Sequence, residues 1–272
     1  MKTLKRYLSA ALKKHLSATA FSRLKMLSTP GNYINFAGGW VGKVTFNEDG
    51  MATAHNSDFT KSHKFIEAYR LGEETESWGP VGRPPLRWRV FNACTLAKYA
   101  LRVPGDFVEC GTNKGAVATA IISYTNFEKA KKKFYLLDTY EGFDQSVLSE
   151  TESALINSSA FRYADCYAQV KAHFKQYSFV EIIKGSVPST LPQVHSDKIA
   201  FLHLDMNCAL PERKAIEYFW DKITPGGVVL LDDYGWEYHE EQKATLDEFA
   251  LTKGIEVVEM PTGQGLILKP YF

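Results

Sequence analysis

From residue 105 onward, short apolar runs alternate with stretches whose apolar positions recur every three or four residues. "DFVECG", "KFYLLD", "VEIIKG", "IAFLHLD" and "GVVLLDD" have the length and composition of buried strands. "KGAVATAIISY", "AFRYADCYAQVKAHFKQY", "PERKAIEYFWDKI" and "HEEQKATLDEFALTKG" have helical spacing. Strands this uniformly apolar belong to a sheet covered on both faces, and their alternation with helices makes the sheet parallel. The last two runs, "IEVVEM" and "GLILKP", are joined only by "PTGQ". Four residues cannot cross over a sheet, so this pair is expected to be an antiparallel hairpin. The predicted fold is α/β, with a doubly wound seven-stranded sheet that ends in that hairpin.

Upstream the pattern is looser. "LKRYLSAALKKHL" places Leu4, Tyr7, Leu8, Ala11, Leu12 and Leu16 on one helical face with lysines opposite. Residues 28–85 are rich in Gly, Asn and Pro and are interrupted by a helical patch, "SDFTKSHKFIEAYRLG". "RWRVFNACTLAKYALRV" then reads as a helix stopped by Pro104-Gly105. The expected division is a helical and irregular N-terminal cap or lid over residues 1–85 and a catalytic-type domain over 86–272.

Charge changes the picture in one respect. There are eight basic residues and no acid before Glu48, which leaves −7 of the formal +1 on the remainder of the 272-residue chain. This excludes a globally basic nucleic-acid binder and gives the first segment a role of its own. Its helix packs on the body, on a second subunit of a homo-oligomer, or peripherally on an anionic membrane surface; a transit peptide is a further alternative. No apolar run reaches transmembrane length, and no signal peptide is visible. The four cysteines, Cys94, Cys110, Cys166 and Cys208, have neither zinc nor disulfide spacing, so a reducing cytoplasm is the expected compartment.

The candidate chemistry lies where strands end. Asp205 closes "FLHLD", and Asp232 and Asp233 close "VVLLDD". Neighbouring parallel strands end on the same side, so these acids converge, and three converging carboxylates call for a cation. Mg²⁺, a hard ion that takes oxygen ligands, answers that need. The alternative sends Asp233 to solvent and leaves Asp232 as a cap. His203, two residues before Asp205, shares its face of the strand and is a core residue or a base. His239 is a second candidate base. "ECGTNKG" is a strand–turn–helix loop of the G-x-x-x-G type, without the G-x-G-x-x-G of a diphosphate site. Glu109 just before it suits an ammonium or sulfonium ligand. Asp138 ends the second strand, where an acid accepts ribose hydroxyls or, equally, caps a helix. Glu141 and Gly142 prolong that loop, and Gly185 and Ser186 suit an adenine edge or a plain turn.

Taken in order, "GDFVECGTNKGA", "YLLDTYEGF", "KGSVPSTLP", "FLHLDMN", "TPGGVVLLDDYG" and "PTGQGLILKP" resemble the macrocin O-methyltransferase family. The resemblance covers roughly residues 80 to 270 and implies a class I, Rossmann-like methyltransferase fold. It also implies S-adenosylmethionine and Mg²⁺ as cofactors, and a small-molecule or glycan substrate carrying a sugar hydroxyl. By motif, Glu109, Gly111, Thr112 and Asn113 would hold the methionine part. Asp138, Thr139, Tyr140, Glu141 and Gly142, with Gly185 and Ser186, would surround the ribose and adenine. Asp205, Asp232 and Asp233 would bind the metal. One position departs from the pattern: the family reads L-D-x-D-x-Y where this chain has "LDMNCALPE", with Asn207 in place of the second acid. Asparagine cannot take a proton, so the resemblance leaves the base to His203, His239 or Asp233, and points to a surface polysaccharide or other glycoconjugate as much as to a macrolide. Aromatic residues Tyr33, Trp40, Trp78, Trp88, Trp236 and Tyr238 stack on sugars or pack in the core. A non-catalytic partner of a biosynthetic complex and an NAD-dependent oxidoreductase are the competing functions.

Overall fold

The computed structural model describes residues 33–35, 41–75, 85–158 and 163–271. The N-terminal amphipathic helix, Trp40 and Trp78 lie outside them. Contacts divide the chain into two compact units, Met1–Asp58 and Phe59–Phe272.

In the first unit two short antiparallel pairs occur where the sequence pattern looked irregular. β1 (Tyr33–Asn35) pairs with β2 (Val41–Lys43), and β3 (Phe46–Glu48) pairs with β4 (Met51–Thr53). Asp49 and Gly50 both have positive φ, 51° and 72°. Two such residues make the tight turn whose twist matches a hairpin, which is why Asp-Gly is favoured there.

The second unit begins with α1 (His63–Glu73) and α2 (Arg87–Ala100). The helical patch assigned from sequence to the cap is therefore part of this unit: Phe65, Ala68 and Tyr69 of α1 are buried, and Phe65 and Tyr69 join the core that contains Val90, Ala93 and Ala97 of α2. Then come β5 (Asp106–Cys110), α3 (Ala116–Thr125), β6 (Phe134–Asp138), α4 (Glu150–Ser158), α5 (Tyr167–Phe174), β7 (Val180–Lys184), β8 (Ile199–Leu204), α6 (Ala209–Phe219), β9 (Ile223–Leu231), α7 (Glu240–Thr252), β10 (Val258–Glu259) and β11 (Gly265–Leu268).

The seven strands follow the order β10-β11-β9-β8-β5-β6-β7. β5 to β9 are parallel, while β11 runs antiparallel to both β9 and β10. This is the expected sheet with its terminal hairpin. Alternation along each strand feeds two cores: Phe107, Phe134, Leu136, Phe201 and Leu230 face α1, α2, α3 and α5, whereas Val108, Leu137, Leu202, Leu204 and Val229 face α6 and α7. A fully buried side chain of this kind contributes about 1.5–3 kcal/mol. The strand order reverses between β5 and β8, and ligands of open α/β sheets bind beyond the carboxyl ends at such a reversal.

Two helix boundaries differ from the sequence pattern. α5 starts at Tyr167 because the Asp165 carboxylate accepts the Tyr167 N–H at 3.0 Å. α4 was not anticipated, although its start carries a reciprocal cap: Ser149 N–H donates to Glu152 at 2.9 Å, and Glu152 N–H donates to the Ser149 hydroxyl at 3.1 Å. No helix among the described residues is long and apolar enough to cross a membrane.

Candidate functional site

Backbone pairing continues past the strand ends and sets the site. Asp205 N–H donates to Cys110 O, and Asp232 N–H to Leu204 O, each at 2.9 Å. The ends of β5, β8 and β9 are thereby brought into one register. Glu109 and His203 are direct neighbours across β5 and β8, and His203 and Asp205, two residues apart, share a face.

The two adjacent acids meet a cation supplied by the chain itself. Nη1 of Arg89, on α2, lies 2.5 Å from Asp232 Oδ2 and 2.9 Å from Asp233 Oδ1. Asp233 is 8% exposed, so it is not the solvated residue of the alternative reading. The Arg89 guanidinium also lies 4.9 Å from the Trp236 ring centre. On its other oxygen Asp232 accepts from Gln264 Nε2 at 2.8 Å, and Gln264 accepts in turn from Asn92 at 2.9 Å and Thr262 at 3.0 Å. Thus α2 and the β10–β11 turn together orient one carboxylate.

Beneath these acids sits a second pair. His203 and Glu109 are 0% and 1% exposed, which rules out direct solvation of either. Nδ1 of His203 is 2.9 Å from Glu109 Oε1, while its Nε2 is 3.5 Å from Asp232 Oδ1 and has no hydrogen-bond partner. His203, Asp205 and Asp232 each offer an atom within 4.8 Å of the others, and this is the cluster whose donors fit a divalent cation. Asp233, the third carboxylate expected there, shares Arg89 with Asp232.

Burial, with repulsion from Asp232 and Asp233, pushes the Asp205 carboxyl well above its usual range. Burial acts the same way on Asp232, but the Arg89 guanidinium and the His203 ring outweigh it and hold that carboxyl below its usual range. Burial disfavours an imidazolium at His203, yet the neighbouring Asp232 and Glu109 carboxylates raise its pKa well above the ordinary value.

The expected cofactor loops are adjacent, and several of their residues serve the backbone. Gly111 has φ 93°, and a Cβ there would overlap the Asp205 carbonyl; its glycine is required by the neighbouring loop. Gly115, φ 88°, packs against the Phe174 ring in the same manner. Asp138 accepts Asn113 N–H at 2.7 Å and Tyr140 N–H at 2.6 Å, so it joins the loops after β5 and β6. Gly185 N–H donates to Asp138 O at 2.9 Å and adds the loop after β7, where the Ser186 hydroxyl donates to Val187 O at 3.2 Å. Thr112 is buried beside this junction. The Tyr140 ring is 1% exposed, with its hydroxyl on Leu136 O at 2.9 Å, and therefore belongs to the core and not to a nucleoside surface. Thr139 donates to Gly142 O and closes the turn, while Glu141 is exposed and pairs with Lys184 at 2.8 Å.

His239 stands apart from the acids. Its ring meets Gln242, whose amide donates to Glu212 at 2.8 Å, and Glu212 also accepts Met206 N–H at 3.0 Å. Asn207 has φ 56° and places its amide 3.5 Å from Asp205. Trp88 packs edge-on against Phe59 at 4.8 Å, which is core packing, while Tyr238 is exposed. Arg89, Gln264 and Asn92 were missing from the sequence reading; "RWRVFN" and "PTGQG" carry no spacing that links them to the acids.

The family model of macrocin O-methyltransferase (TylF) matches residues 50–260. The chain belongs to that family. Among curated relatives it is 26% identical over 150 residues to an 8-demethyl-8-(2,3-dimethoxy-alpha-L-rhamnosyl)-tetracenomycin-C 4'-O-methyltransferase of Streptomyces olivaceus, a stretch covering 52% of this chain and 57% of that one. It is 24% identical over 160 residues to a mycinamicin III 3''-O-methyltransferase of Micromonospora griseorubida, covering 54% and 62%. The matches thus span little more than half the length of these relatives. The fold is similar to that of the O-methyltransferase NovP (TM-score 0.57, 20% identity, 67% of this chain and 79% of that chain). It is also similar to the calicheamicin methyltransferase CalS11 (TM-score 0.54, 15% identity, 79% and 98%).

Proposed function

We propose that this protein is an S-adenosylmethionine-dependent, divalent-cation-assisted O-methyltransferase acting on a sugar hydroxyl of a glycosylated natural product or surface polysaccharide. One observation carries the reading: in a chain of this family, Asp205, Asp232 and His203 converge at the sheet reversal, beside the Gly111–Asn113 loop. The first curated relative is named for a rhamnosyl compound, in keeping with a sugar substrate.

When bound, the cofactor supplies an electrophilic methyl group and a cation such as Mg²⁺ acidifies and orients a hydroxyl. The chain's own residues do the positioning. Asp205 and Asp232 present carboxylate oxygens, Arg89 and Gln264 fix Asp232, and the loops stapled by Asp138 form the cofactor side. Glu109 faces His203 and contributes through it. Holding two reactants in line is worth up to about 7–11 kcal/mol, so little covalent chemistry is asked of the protein. Among the candidate bases, His239 is turned to Gln242 and Asn207 cannot accept a proton, which leaves proton removal to His203, Asp205, Asp233 or water. Trp236, next to Arg89, and exposed Tyr238 are the aromatics placed to meet a sugar face. The basic N-terminal segment is proposed as a packing or peripheral membrane element of a cytoplasmic protein.

Calorimetric titration with S-adenosylmethionine and then Mg²⁺, on wild type and Asp232→Ala, tests the reading. Cofactor binding to both proteins and cation binding to the wild type alone is the expected result. No cofactor binding to either would overturn it.

A further inference from the structure

We infer that Glu152 is a positioning residue of the methyl-transfer site: its carboxylate ties α4, which leaves and rejoins the loop after β6, to the start of α6, and so carries the ordering of that loop to the turn that bears Asp205 and Asn207. The inference rests on the proposed function, which gives the β6 loop to the cofactor, and adds a residue that lies outside both loops.

Glu152 is a buried acid, and its two oxygens serve two different helices. Oε2 accepts Ser149 N–H at 2.9 Å and completes the cap of α4. Oε1 accepts the N–H of Ala209, the first residue of α6, at 2.6 Å. A capping box ordinarily ends at its own helix; this one reaches 57 residues along the chain. The first N–H groups of a helix have no partner within it, and a negative charge is favoured at a helix start. α6 needs such a partner, because Cys208 at its N-cap makes no side-chain cap.

Both ends of the link lead to the site. On one side the chain departs from the β6 loop and comes back to it: the Phe143 and Tyr163 rings meet at 5.3 Å, and Cys166 N–H donates to Tyr140 O at 2.9 Å. Tyr140 N–H in turn donates to the Asp138 carboxylate at 2.6 Å. On the other side Ala209 follows the turn of Asp205 to Cys208, whose Met206 N–H is held at 3.0 Å by Glu212 from within α6. The turn is therefore held near one end by its own helix and at the other by α4. Hydrogen bonds to a carboxylate are the shorter and stronger kind, which suits the bond to Ala209 to this task.

The test uses the full chain with S-adenosylhomocysteine, the demethylated form of the proposed cofactor, and reads amide hydrogen exchange, which needs neither catalysis nor a cation. In the wild type the ligand should slow exchange at 111–115 and 138–142, and also at 207–210. Glu152→Gln keeps the length of the side chain but sets a donor nitrogen against one of the two N–H groups. Ala209→Pro removes the other end of the bond; proline suits a first helical position, and Cys208 before it is already extended, with φ −152° and ψ 141°. Both variants should keep the slowing at the first two segments and lose it at the remaining amides of 207–210. Ser149→Ala removes one hydroxyl of the α4 cap and leaves the bond to Ala209, so it should lower the melting temperature and keep the wild-type slowing at 207–210. Loss of that slowing in Ser149→Ala as well reduces Glu152 to a helix cap and overturns the inference. Slowing at 207–210 that survives in Glu152→Gln or Ala209→Pro, or that is missing from the wild type, overturns it too. Absence of slowing at 111–115 and 138–142 in the wild type overturns the proposed function and this inference with it. The two variants cut one hydrogen bond from opposite sides, so if one fails to fold the other decides.

Discussion

Arg89 and Asp232 are 143 residues apart in sequence and 2.5 Å apart in the structure. The guanidinium reaches two consecutive acids at the end of β9 and ties α2 to the carboxylate cluster.

Replacing Arg89 with methionine leaves the buried Asp232 and Asp233 without their cation. Removing one partner of a buried pair costs about 3–5 kcal/mol. The expected outcome is a large loss of stability in thermal or denaturant unfolding, partly restored by millimolar Mg²⁺ or Mn²⁺. Arg89→Met unfolding that matches wild type, with or without the ion, would show that the pair contributes nothing.

Gly111→Ala combines a positive φ with a direct overlap on the Asp205 carbonyl. Overpacking and backbone strain each cost about 1–3 kcal/mol. Denaturant titration should show a loss of that order, accompanied by weaker binding of both the cofactor and the cation, because the two loops share the contact.

Glu212 yields a pH prediction. Burial pushes its carboxyl from 4.5 up to about 8 in the folded protein. The folded state therefore holds a proton that the unfolded chain has released. This contribution to stability is fully present below about 4.5 and is lost as pH rises to about 8. Glu212→Gln, which still accepts hydrogen bonds, should flatten the fall in stability across that window. Equal slopes in urea titrations at pH 5 and pH 8 would refute the assignment.

Asn207→Asp places a fourth acidic side chain beside Asp205, from which the amide is now 3.5 Å. The positive φ of this position is tolerated by aspartate. Cation affinity measured by calorimetry should rise several-fold, with little change in the melting temperature when the ion is present.

Much of the sheet was legible because buried parallel strands are nearly continuous apolar runs, and because "PTGQ" is too short for a crossover. The Asp49-Gly50 turn and the Ser149–Glu152 cap were equally local signals, passed over in regions that looked irregular. The convergence of Asp205 and Asp232 followed from neighbouring parallel strands ending on the same side, and the face shared by His203 from strand parity. Which partners those groups would choose did not follow. Arg89, Asn92 and Gln264 approach from α2 and from the terminal hairpin, and nothing in their spacing points to a strand end. The glycine at 111 was expected among the residues that hold the methionine part; its requirement is set by the backbone of Asp205, far along the chain.

That glycine has a mechanical consequence. Where backbone lies directly on backbone, no side chain can change rotamer to take up a displacement. The turn after β5 and the turn after β8 are consequently in direct backbone contact, so that neither has room to shift toward the other. A ligand settling on the first turn would therefore bear on the turn that carries Asp205, with no side chain between the two.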